Sequence, residues 1–304
     1  MKFDIIGKRY WFFLISGVLI LISVIALATA GLKPGIEFSS GSMLTVTFAE
    51  EVSYDDVRDE ITAFGYTDAI VQETSSGDFL IRTKSLSDIE KKQITAGLET
   101  AFGETSEASF ISVDPKAASE TTRNAIIAVL VASVGILLYI TWAFRRMPNP
   151  FRYGTCAVIA LIHDAIVALG IFSILGALLD WETNLMFITG LLAVIGYSVN
   201  NMVVIFDRIR ENTIKGIHPE FDVTVNGSLI ETLSRSMNTS LTTIITVLAI
   251  LIFVGSTIQN FAIVLLIGIV IGTFDSIFVA PALLVVWDKG EWHRFLPWKR
   301  GKKA

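Results

Sequence analysis

The chain has 304 residues, 52% of them hydrophobic and only 17% charged, with a formal net charge of −5 and a mean hydropathy of +0.62. These figures exclude an ordinary soluble domain and fit a series of bilayer-length apolar segments. The single cysteine, Cys156, lies in apolar sequence, so an internal disulfide is excluded and no thiolate metal site is indicated.

The first apolar run covers residues 11–30 and follows Lys2, Lys8 and Arg9. A cleavable signal has an apolar core of about 7–15 residues. This run is nearer the roughly 20 residues that cross a bilayer, so it reads as an uncleaved first span.

Residues 31–122 form the one large connection, with 17 Asp and Glu against 7 Lys and Arg, a net of −10. Leu44, Val46 and Phe48 alternate as in a half-buried strand. Ser53 and Asp56 resemble a capping box with Asp in place of Glu, opening a helix to about Phe64. Residues 69–73 and 79–83 read as strands around a turn at 75–78. Ser85 or Ser87 caps a second helix carrying Ile89, Ile94, Leu98 and Phe102, and residues 108–113 form a last strand. The order β-α-β-β-α-β is the ferredoxin-like arrangement. This segment contains no histidine, catalytic triad or metal-ligand cluster.

Five further spans are expected at 124–144, 153–178, 185–206, 236–254 and 261–287. The short connections 179–184 and 255–260 force antiparallel helix pairs. The expected fold is therefore a polytopic α-helical membrane protein, six transmembrane helices with a small α+β ferredoxin-like external domain between helices 1 and 2. It divides into 1–30 (N-terminus and first span), 31–122 (external domain), 123–288 (the five remaining spans) and 289–304 (a basic tail).

Orientation follows from Lys and Arg in the short loops. Beside the three N-terminal cations, Arg145, Arg146 and Arg152 follow the second span, and Arg208, Arg210, Lys215 and Arg235 lie between the fourth and fifth. Lys299, Arg300, Lys302 and Lys303 crowd the C-terminus, while the opposite loops hold Asp180, Glu182 and no cation. Both termini are expected in the cytoplasm, the 31–122 domain outside, and the chain in the cell membrane. Topology accounts for the positive charge, so no nucleic-acid partner is expected.

Polar residues inside spans are costly and mark candidate sites. In the third span His163 and Asp164 adjoin; as neighbours they are not expected to form a mutual ion pair. They serve either helix packing or function. The fourth span carries Asn200 and Asn201, readable as interhelical hydrogen-bonding groups or as part of a polar pathway. It leaves the bilayer through Asp207, Arg208, Arg210 and Glu211. In the sixth span Asp275 interrupts apolar sequence and must be neutral, paired or hydrated. Arg235 opens the fifth span, either as an interfacial anchor that snorkels or as a partner for a buried acid. Gly268 and Gly272 have the spacing that lets helices approach closely.

The segment GYSVNNMVVIFDRIREN at 196–212 resembles the G-Y-S-x-N-D-T-V-V-x-F-D-R-I-R-E-N motif of the SecD/SecF family of the bacterial protein-export machinery. Ser234-Arg-Ser-Met-Asn-Thr-Ser-Leu-Thr-Thr243 is similar to that family's fifth-span motif, and His163-Asp164 falls where the same pair is common. Gly35-Ile-Glu-Phe-Ser-Ser-Gly41 is similar to its G-I-D-F-x-G-G motif, with Gly35, Glu37 and Gly41 at the matching positions. The resemblance covers essentially the whole chain. It implies half of a twelve-helix, proton-driven transporter of the resistance-nodulation-division superfamily. Its partners would be the SecD half, the Sec channel, the exported polypeptide and membrane lipid, without cofactor, metal or enzymatic activity.

Three positions depart from the family. Asn201 stands where an ionisable Asp is expected, Met202 replaces the usual Thr, and Asp275 replaces a Ser. One reading links the changes: Asp275 supplies the titrating group that Asn201 lacks, with Arg235 or Asn201 within its reach. In the other, the SecD half carries the transport carboxylates and this chain is a scaffold. Half of a small-molecule or lipid transporter is a further alternative. The external domain of about 90 residues leaves that reading little room for a substrate pocket.

Overall fold

A computed structural model of the chain describes residues 4–74, 77–253 and 258–294. Lys2, Ser75 and Ser76 of the expected turn, residues 255–257 of the 255–260 connection and the basic residues from 299 onward lie outside the described residues.

Among the described residues, six helices are long and apolar enough to cross a membrane. They are α1 (Arg9–Thr29), α5 (Pro115–Ala143), α6 (Phe151–Leu179), α7 (Leu185–Ile214), α8 (Phe221–Phe253) and a last one made of α9 (Gln259–Phe274), a π-helical turn (Asp275–Val279) and α10 (Ala280–Lys289). Trp11, Leu14, Val18 and Leu21 of α1, and Leu130, Val134 and Leu138 of α5, are exposed. In water such faces would be a liability; against lipid they cost nothing. α6, α7 and α9 supply the interior, where Phe172, Phe187, Val194 and Val264 are buried together.

Several helices extend beyond the expected spans. α5 starts at Pro115 because the Asp114 carboxylate accepts the Lys116 and Ala117 N–H groups, both at 2.9 Å. This N-cap and the proline in the first turn start the helix in polar sequence. α7 continues to Ile214, which keeps Asp207, Arg208, Arg210 and Glu211 helical and paired at i,i+3. The sixth span is interrupted. Pro281 has no N–H, and its ring would meet the carbonyl four residues back. One turn earlier the ladder slackens, and the Ala280 N–H reaches the Asp275 carbonyl.

Between α1 and α5 lies a short helix α2 (Ile36–Ser39) and then a domain of β1 (Gly41–Phe48), α3 (Tyr54–Ala63), β2 (Ile70–Glu73), β3 (Phe79–Thr83), α4 (Asp88–Phe102) and β4 (Thr105–Val113). This is the expected β-α-β-β-α-β order, with an antiparallel sheet in the order β2-β3-β1-β4. Leu44, Val46, Val71 and Ile81 face the helices and meet Val57, Ile61, Ile94 and Leu98. Ser87 and Glu90 form a complete capping box. Ser53 stands at the N-cap of α3 but makes no side-chain cap bond, so the capping box expected with Asp56 does not form. Ile89, expected on the inner face of α4, is 71% exposed.

The Gly35–Gly41 segment ties this domain to the membrane helices. The Gly35 N–H donates to the Thr183 carbonyl at 2.8 Å, and Pro34 pairs with Thr183 as an isolated parallel bridge. Gly41 has φ of +127°, and a Cβ there would stand 2.5 Å from the Thr83 carbonyl oxygen. Only glycine fits.

Candidate functional site

The intramembrane polar residues converge where α6, α7, α8 and the sixth span meet. His163 and Asp164 lie midway along α6, with exposures of 4% and 0%, and Asp275 begins the π turn with an exposure of 0%. One ligand atom from each of the three lies within 4.8 Å of the others. His163 Nδ1 is 2.6 Å from Asp275 Oδ2. This is a close polar contact and not an aligned hydrogen bond, since neither the ring nitrogens of His163 nor the carboxylate oxygens of Asp275 have a hydrogen-bond partner among the described residues. Asp164 Oδ2 accepts from the Ser198 hydroxyl of α7 at 2.6 Å, while its Oδ1 is also unpartnered.

Residues 163 and 164 are about 100° apart around the helix, yet both point inward. Packing on several sides of α6 makes its buried arc wide enough for the two. Close approach of the neighbouring helices has a simple cause. At Gly272 an added Cβ would stand 3.0 Å from Ser198 and 3.4 Å from Asp164 Oδ2, and at Gly268 it would overlap Val194. The two glycines press the sixth span against α7.

Asn201 is 3% exposed and donates through Nδ2 to the Ser240 hydroxyl of α8 at 3.2 Å. Tyr197 donates to the same oxygen at 3.1 Å, and Ser240 and Thr273 hydroxyls are 2.6 Å apart. Thr273 precedes Asp275 by two residues, so Asn201 connects through hydroxyls to the strand of helix that carries the acid. Among the described residues no hydrogen bond or ion pair joins Asp275 to Asn201 or Arg235, the partners expected for it. His163 takes that place, and Ser198, Ser240 and Thr273 complete the set. Ser198, two residues before Asn200, was the one nearby serine or threonine in the sequence of α7, while Ser240 and Thr273 lie on other helices.

Asn200 and Arg235 do not enter this cluster. Both are exposed, as are Gly196, Asn238 and Thr242, on faces of α7 and α8 turned away from the chain's own bundle. At the end of the bundle remote from the sheet domain, Arg208 donates to Glu231 at 2.6 Å and to Glu211 at 2.5 Å. Asn212 Nδ2 joins α7 to α8 through Ser228 at 2.9 Å and Glu231 at 2.8 Å. Asp207 pairs with Arg210 at 2.7 Å. This network fixes the angle between α7 and α8 rather than entering the core. Glu37 adjoins Glu182, which pairs with Arg82.

Two carboxylates and an imidazole in one dry cluster can hold a proton or a cation.

The family model for the C-terminal part of the protein export membrane proteins SecD and SecF matches residues 93–290, and the model for the SecD/SecF GG motif matches residues 25–52. The chain belongs to the SecD/SecF family. It is 41% identical to the protein translocase subunit SecF of Anaerolinea thermophila, covering 99% of this chain and 98% of that one. It is 42% identical to the SecF subunit of Thermobaculum terrenum over 96% of each chain. The crystal structure of the translocon-associated membrane protein SecDF from Thermus superposes with a TM-score of 0.84 at 31% identity. That match covers 94% of this chain and 39% of the SecDF chain, so this chain spans about two-fifths of that protein's length. A second SecDF structure, a super-membrane-facing form, gives a TM-score of 0.68. Members of the SecD/SecF family act in protein export as transport components, not as enzymes.

Proposed function

We propose that this chain pairs with a SecD-type half and uses a transmembrane ion gradient to drive late steps of polypeptide export through the Sec channel. The observation that carries this reading is the buried cluster of His163, Asp164 and Asp275. Buried carboxylates within a membrane are costly to a purely structural core, whereas a centre that changes charge in each cycle needs ionisable groups there. The GG-motif segment is bonded to the 180–184 loop at the end of α6, the helix that carries His163 and Asp164. A change at the cluster therefore has a short mechanical route to the sheet domain.

The partner half belongs against the exposed polar face of α7 and α8, where Asn200, Arg235, Asn238 and Thr242 would be costly in lipid. Excess Lys and Arg in the loops at one end supports an orientation with both termini in the cytoplasm and the sheet domain outside.

The test uses the complex with its SecD-type half and Sec channel in proteoliposomes, with export measured with and without an imposed gradient. Wild-type export rises with the gradient, and Asp164→Asn combined with Asp275→Asn removes that rise. A double variant that responds like wild type overturns the cluster's role and leaves this chain a scaffold.

A further inference from the structure

Between the sheet domain and the outer ends of the membrane helices lies a cleft of about 580 Å³. It is separate from the ion cluster. Its roof is the sheet face that α3 and α4 leave bare. Gln72, Leu80 and Met43 lie on that face, opposite the buried Val71, Ile81 and Leu44, because side chains alternate along each strand. Its floor is the 180–184 loop with the start of α9, including Trp181 and Asn260. Gln72 already reaches across, donating to the Asp180 carbonyl at 3.1 Å.

Two properties define what this cleft can take. First, among the described residues β2 pairs with β3 alone and forms one edge of the sheet, so its other side is open to a further strand. Strand addition relies on main-chain hydrogen bonds and is tolerant of side-chain sequence. Second, the lining is acidic. Glu37, Glu73, Asp180 and Glu182 outnumber two cations, Arg82 within the lining, paired with Glu182, and Lys33 at its margin, paired with Asp180, which leaves Glu37 and Glu73 in excess.

We infer that this cleft receives an extended, basic polypeptide segment, laid along the open edge of β2 with its cations toward Glu37 and Glu73. The inference rests on the export reading and names the surface through which the exported chain is held. Sequence-tolerant pairing suits a site that must accept many different chains, and the acidic lining holds their cationic stretches. The floor of the cleft joins α6 to α7, so an occupant bears directly on the helices that carry His163, Asp164 and Ser198.

The experiment places the photo-crosslinker p-benzoylphenylalanine at Gln72 or Leu80, and separately at Ile89 on the far helical side. The complex is assembled in membrane vesicles with an export substrate stalled part-way across, bearing a lysine-rich segment. Crosslinks to the stalled chain are expected from 72 and 80 and not from 89. They should fall several-fold when Glu37→Lys and Glu73→Lys are introduced together. Crosslinks from 72 and 80 to the SecD-type half in place of the stalled chain overturn the inference. Equal crosslinking from 89 and 72 also overturns it, while the export reading stands. No crosslink from any of the three, with the stalled chain still captured by the channel, overturns the engagement of this domain with exported chains.

Discussion

His163 Nδ1 on α6 stands 2.6 Å from Asp275 Oδ2 at the π turn, and this contact ties the third span to the sixth at their dry centre. The π turn gives the contact its form. A regular ladder through residues 275–279 would aim Asp275 differently, and π bulges recur where a helix must present a functional group. Any change in the charge of either group alters the force between two helices that both pack on α7.

Asp275→Asn preserves side-chain volume and removes the ionisable group. Gradient-dependent export should fall to the level seen without a gradient, while gradient-independent export is retained. The readout is the ratio of export with and without an imposed gradient, and an unchanged ratio would remove Asp275 from the mechanism.

The contact of α1 with α6 depends on the absence of a side chain at Gly170. A Cβ there would stand 2.4 Å from the Ser23 Cα and 2.2 Å from its Cβ. Backbone cannot yield as a flexible side chain does, so Gly170→Val must push α1 away. It also strains the nearby bond from Ser173 Oγ to the Ala26 carbonyl at 2.9 Å. The expected loss is about 1–3 kcal/mol, seen as a lowered Tm of the detergent-solubilised chain. A Tm equal to wild type would mean that α1 is free to shift at no cost.

The Arg82–Glu182 pair makes the junction between the sheet domain and the 180–184 loop sensitive to pH. Burial outweighs Arg82 and raises the Glu182 carboxyl above its ordinary value of 4.5. The folded state therefore holds this proton more tightly than the unfolded chain. Its contribution to stability is present at pH below 4.5 and is lost as pH rises through the higher folded value. Glu182→Gln should flatten that part of the stability curve, measured by denaturant titration of the full chain across the same range. A slope identical to wild type would place the pH dependence on other groups.

The six spans and the strand order were legible in the sequence because both rest on local pattern. Apolar length marks a span, and alternation at Leu44, Val46 and Phe48 marks a strand. Asp275 was legible too, since one carboxylate in an otherwise apolar run has few inexpensive explanations. Its neighbours were not, because they depend on how α6, α7 and α9 rotate against one another. That rotation is set by Gly268 and Gly272 meeting Val194 and Ser198, which no single helix reveals. Arg235 looked like the natural partner by charge alone, yet it faces outward. The overextended reach of α7 and α8 was missed for a related reason: charged residues close the apolar run but continue the helix through Arg208, Glu211 and Glu231 pairs.

The loss of an acid at Asn201 and the gain of one at Asp275 can be tested as a single exchange. Asn201 is buried, its amide donates to Ser240, and Ser240 meets Thr273 two residues before Asp275. The carboxylate of Asn201→Asp would face the Ser240 hydroxyl already in place, which can turn its proton from Thr273 to the new acceptor. Alone, it puts a third acid near Asp164 and Asp275, and mutual repulsion should weaken the gradient response. In the Asp275→Asn background the acid count returns to two, and the response should recover in part. The double-mutant cycle on gradient-dependent export reads this directly, with a positive coupling between the two positions expected. Additive losses at 201 and 275 would show that the two substitutions are independent and that the titrating function was never moved from one helix to the other.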